Sequence, residues 1–213
     1  MSLFNEELNQ LLYADQTGEI IGLDEVQLLD PIPEERIPAI IALLSADDLY
    51  AAYQAGLILA AWGVEAGVDF LHSLVIQRID QTITLEPHRL WDEDNVYDVI
   101  ADALSVAILS GYEVEKILTV IRPILALYGT CYFESKLKHV LVKLNTPALL
   151  PNIEEALQLA LDNKRYYQAS QLLPVIAHYN TASALSKLPT FRNLVSKDKR
   201  IKYNIDEMRA YLP

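Results

Sequence analysis

Cysteine occurs once, at Cys131, so no intrachain disulfide framework holds this chain, and a reducing compartment suits it. Glycine is also scarce, 7 among 213 residues. That disfavours sandwiches and barrels, which need turn residues every ~8–12 positions. Long apolar runs are missing: the most apolar stretch, 55–64, is about half the ~20 residues that span a bilayer, and Asp98 and Asp102 interrupt the next candidate. No membrane crossing is expected. The N-terminal run Met-Ser-Leu-Phe-Asn-Glu-Glu carries acids where a secretory signal carries Lys or Arg, so the expected location is cytoplasmic. Positive charge is nearly absent from the first half. Residues 1–115 hold 22 acids against Arg36, Arg78 and Arg89, a net −19, whereas 116–213 hold 14 bases against 7 acids, a net +7.

What is present is a helix-forming composition. Apolar residues make up 52% of the chain, which rules out wholesale disorder, and Leu, Ala and Ile predominate. The expected class is all-α. Residues 1–33 offer a short helix at about 6–13, a turn at Asp15-Gln16-Thr17-Gly18 and a boundary at Asp30-Pro31-Ile32-Pro33. From Glu34, apolar residues at Ile37, Ile40, Ile41 and Leu44 share one helix face. Ser45 and Asp48 fit a capping box for a second helix, which carries Leu49, Ala52, Tyr53, Gly56, Leu59 and Ala60 and stops at Gly63. A third carries Val68, Leu71 and Leu74. After a polar connection at about 80–91, Asp92-Glu93-Asp94 opens a helix with Val96, Ile100, Ala103, Leu104, Ala107 and Ile108 that ends at Gly111.

Laying Gly63 on Gly111 pairs Ala52 with Ile100, Ala55 with Ala103, Gly56 with Leu104, Leu59 with Ala107 and Ala60 with Ile108, all small or apolar. A recurring unit of two antiparallel helices explains the spacing. The acidic turn, the alanine face and the closing glycine resemble the HEAT-repeat family, particularly short bacterial repeats similar to those of phycobilisome lyases. The family usually ties the acidic turn with an arginine near the helix start; here those positions are Tyr50, Ala52, Tyr97 and Ile100. The resemblance covers about 34–125. It implies an α-solenoid, a right-handed superhelix of antiparallel helix pairs, forming one domain over 1–213. Residues 1–33 would cap it, 34–125 form the clear repeats, and 126–213 form degenerate repeats and a basic C-terminal cap around Lys197, Lys199, Arg200 and Lys202. Within that last part helices are expected from Phe133 to Leu144, from Asn152 onward, and around Tyr166 to Ile176, with a break at Tyr179-Asn180-Thr181.

Catalytic signatures are missing. His72, His88, His139 and His178 form no metal-ligand spacing, Cys131 and His139 form no recognised dyad, and no phosphate loop or nucleophile elbow occurs. The chain is therefore expected not to be an enzyme and to need no cofactor and no metal. The acids Asp94, Asp98 and Asp102 stand at i, i+4 and i+8, where like charges destabilise a helix by ~0.2–0.5 kcal/mol per pair. The repeat offset sets Asp98 and Asp102 beside Tyr50 and Gln54. These five residues are the expected protein-binding surface, its partner a protein with a basic face. By family resemblance such a module could be an immunity or inhibitor protein acting on a basic toxin. The alternatives are a HEAT-like enzyme of the bilin lyase or DNA glycosylase type, with nucleic acid disfavoured by the acidic half, and head-to-tail self-assembly into a homo-oligomer.

Overall fold

A computed structural model describes residues 3–88 and 93–212. Asp92, the first acid of the second expected acidic turn, lies outside the described residues. Among these residues the fold is all-helical, with only two isolated bridges, Ala14 to Ile20 and Pro87 to Asp94, and no strand. The chain divides into two compact units, one of residues 1–85 and 102–120, the other of 86–101 and 121–213.

The first unit holds α1 (Leu3–Tyr13), α2 (Leu23–Gln27), α3 (Ile37–Leu43), α4 (Leu49–Ala61) and α5 (Glu65–Ile76). It also takes the end of α6 (Val96–Ala107) and the start of α7 (Val114–Leu127). Helix α4 is the centre: every residue from Ala51 to Ala61 is buried, and α1, α2, α3 and α5 all pack against it. A helix apolar all round is one surrounded by others, so the single apolar stripe read along this segment understates it. The α4–α5 approach is close because Gly67 lies against the α4 backbone; a Cβ there would stand 2.4 Å from Leu59 Cβ and 2.5 Å from the Ala60 nitrogen. Trp62 closes the core by donating its indole N–H to the Val26 carbonyl at 2.9 Å. Arg36 donates to the carbonyls of Ala14 (2.7 Å), Gln10 (3.2 Å) and Leu11, supplying donors to the end of α1.

The capping of α4 differs from expectation. Asp48 itself is the N-cap, accepting from the Tyr50 and Ala51 amides at 3.0 and 3.3 Å. Ser45 still belongs to the closing turn of α3, where its N–H reaches the Ala42 carbonyl.

The second unit holds the start of α6 and the end of α7, then α8 (Lys136–Leu144), α9 (Leu150–Asp162), α10 (Tyr166–Tyr179), α11 (Thr181–Leu194) and α12 (Ile201–Met208). Helix α10 is its centre, buried from Gln168 to Ala177 and packed by α8, α9, α11 and α12. The segment expected as a polar, basic C-terminal cap forms two helices, α11 and α12, with Phe191, Ile201 and Met208 buried. Asn180, at the expected break, caps α11 by accepting from the Ser183 amide at 3.1 Å.

Both closing glycines adopt the left-handed conformation that favours glycine, at φ +73° for Gly63 and +80° for Gly111. Each turn is locked by a bond across five residues, Val64 N–H to Leu59 O at 2.8 Å and Tyr112 N–H to Ala107 O at 3.0 Å. The same turn recurs a third time between α9 and α10: Lys164 has φ +61° and Arg165 N–H meets Ala160 O at 2.8 Å. Sequence reading missed this copy because a lysine holds the glycine position.

Candidate functional site

The five residues expected on one binding surface have different fates. Tyr50 is exposed, at 46% of its area, with its ring tilted against Tyr53 at a centroid distance of 6.5 Å. Gln54, one turn further along α4, is buried and accepts the Tyr13 hydroxyl at 2.6 Å. Asp94 precedes α6 rather than riding on it. Its carboxylate accepts the amides of Glu86 (2.9 Å) and Val96 (3.1 Å), tying a loop to the helix start. Asp102 is half-buried on α6.

Asp98 is the main correction, since it was expected to face solvent and has no exposed area at all. Its Oδ2 accepts the amides of Glu134, Ser135 and Lys136 at 3.0–3.1 Å, and its Oδ1 accepts that of Leu137 at 2.6 Å. These are the free donors at the start of α8, whose N-cap residue Ser135 makes no side-chain cap of its own. Asp98 thus caps a helix lying some 36 to 39 residues away in sequence. Burial pushes its carboxyl above the usual carboxylate range, and the four amides pull it back only in part. The ladder dissolves for a physical reason: one acid precedes the helix, one is consumed inside the protein, and Asp102 alone stays partly exposed on the helix itself.

The surface that remains acidic belongs to the first unit. It carries 17 carboxylates against three cations, a net −14. Each cation is already engaged internally: Arg36 with the α1 carbonyls, Arg78 with Asp80 at 2.8 Å, and Lys116 with Glu65. Glu6, Glu7, Glu19, Asp24, Glu25, Asp30, Glu34, Glu35, Asp47 and Asp48 are exposed.

Set into this surface is a groove of about 350 Å³, formed by Leu28, Leu29, Asp30 and Ile32 after α2 and by Val106, Leu109 and Ser110 at the end of α6. Leu28 is 60% exposed and Leu109 70%, two large apolar side chains at one concavity. Asp30 lines the groove itself, Asp102 lies one helical turn before Val106 on α6, and Asp24 and Glu25 are exposed on α2. Sequence reading missed both leucines.

Other chemistry-bearing side chains are dispersed. Cys131 is buried while His139 is exposed on α8, His88 packs at a tilt on Tyr132 with ring centroids 4.9 Å apart, and His178 pairs with Asn145 at 3.0 Å. Among the described residues no group of three or more His, Cys, Asp or Glu could hold a metal ion, and no helix is long and apolar enough to cross a membrane. No protein-family model, curated protein or solved structure matches this chain significantly.

Proposed function

We propose that this chain is a non-catalytic binding module, built of stacked HEAT-like helix pairs, whose acidic first unit receives a protein with a basic surface. The observation that carries it is the uncompensated field: 17 carboxylates whose three neighbouring cations are all spent on internal partners. A field of that kind steers a cationic partner and sets its on-rate, while affinity comes from a few apolar anchors held away from water. Leu28 and Leu109 at the groove supply such anchors, and Asp30 on its wall puts a carboxylate beside them. Inhibition of a basic toxin or effector, as by an immunity protein, is the biological setting that fits this reading.

Affinity capture from lysate at low and at raised salt, with the bound protein identified by mass spectrometry, tests it. A basic partner released by salt is expected. A Leu28→Ala, Leu109→Ala double variant, folded as the parent, should lose at least about 2 kcal/mol of binding, roughly 30-fold. An acidic partner, or capture indifferent to both salt and the leucines, overturns the reading.

A further inference from the structure

The second unit contains a pocket of opposite character to the acidic surface. Tyr132, Phe133, the turn Lys164-Arg165, the first turn of α10 and the 197–200 segment enclose about 360 Å³. Four cations, Lys164, Arg165, Lys197 and Arg200, face two acids, Glu93 and Asp198, in a protein whose net charge is −12.

The acids hold the guanidinium groups in place, and the hold on Arg165 leaves part of that group unspent. Arg165 Nη2 donates to Glu93 at 2.8 Å and to the Thr130 carbonyl at 3.2 Å, which leaves its Nε and Nη1 donors with no acceptor among the described residues. Arg200 grips Asp198 through Nε and Nη2 and lies 4.3 Å over the Tyr167 ring. Lys164 and Lys197 pair with no acid among the described residues. Planar guanidinium forks held in fixed positions, with two unengaged ammonium groups, are the donor set that recognises phosphate. Tyr132 and Tyr166, which line the same pocket, supply aromatic surface on which a planar ring can stack.

Lys164 adds a second, independent observation. At the equivalent left-handed positions Gly63 and Gly111 carry no side chain, whereas here the backbone accepts the strain of a lysine at φ +61°, and that lysine lines the pocket. We infer that this pocket binds a small phosphorylated ligand bearing a planar ring, of the nucleoside monophosphate class, with Lys164, Arg165 and Lys197 on the phosphate and the tyrosines on the ring. This site is separate from the acidic surface and stands without it.

Isothermal titration with AMP, adenosine, inorganic phosphate and a single-stranded oligonucleotide provides the test. AMP should bind saturably and more weakly as salt rises, while adenosine and phosphate, each lacking one half of the recognition, should bind at least about tenfold more weakly. Lys164→Gly restores the residue its backbone prefers, so its melting temperature should stay level or rise by roughly 1–3 °C while its AMP affinity falls about 5–10-fold. Lys197→Gln, at an exposed position, should weaken AMP similarly. No saturable AMP binding at millimolar concentration, variants that bind AMP as the parent does, or binding of the oligonucleotide without AMP would each overturn the assignment.

Discussion

Replacing Asp98 by alanine separates a structural carboxylate from a binding one. In the parent its two oxygens accept four backbone amides at the start of α8. Glu134 keeps a second acceptor in Asn95 Oδ1 at 3.2 Å, so the substitution strands three donors. Stranding a buried donor costs ~1–3 kcal/mol. Relief of the desolvated charge offsets part of this, and ~1 kcal/mol for each donor gives about 3 kcal/mol in all. For a chain of this length that corresponds to a fall of ~6–12 °C in melting temperature, with hydrogen exchange accelerating first at residues 134–137. Asp98→Asn should fall between, because its oxygen can keep three donors while its amide N–H opposes Leu137. Linkage adds a sign. The folded carboxyl sits above its unfolded value, so between the two the native state binds more protons, and this contribution to stability declines as pH rises through that window. Asp98→Asn should flatten that decline. Differential scanning calorimetry over pH checks both points. An Asp98→Ala protein melting within about 1 °C of the parent, yet binding its partner less well, would refute the capping role and return the residue to the surface.

Glu154 carries the opposite sign. The Ser183 hydroxyl first, and then Lys187, hold its carboxyl below the usual range, so its contribution is present above the unfolded value and lost as pH falls through the folded one; Glu154→Gln should flatten the acid limb of stability. The net −14 of the first unit implies self-repulsion, so its melting transition should move upward from low to moderate salt; a downward shift would contradict the charge assignment. Gly67→Ala places a methyl 2.5 Å from the Ala60 nitrogen and should cost roughly 1–3 kcal/mol by overpacking. Gly111→Ala meets nothing within 4 Å and should cost only the ~1 kcal/mol of its backbone conformation. Thermal melts of the two variants side by side distinguish steric from conformational cost.

Local chemistry was legible in the sequence. Scarce glycine and apolar 3.6-residue periodicity specify an all-helical chain, and Gly63 and Gly111 end α4 and α6 because a residue without Cβ adopts positive φ most easily. Tertiary structure decided everything that depends on what a side chain meets from elsewhere in the chain. Asp98 and Asp102 are the same residue type one helical turn apart, yet one is sealed against four amides of α8 and the other stays partly exposed. Gln54 is taken by the Tyr13 hydroxyl, 41 residues distant. Leu28 and Leu109 look like core residues in sequence and stand open at a groove in the fold. Lys164 hid the third turn because periodicity reports residue type, whereas the left-handed backbone there is imposed by the helices on either side. Periodicity encodes the face a residue occupies on its own helix, and only packing determines what lies opposite that face.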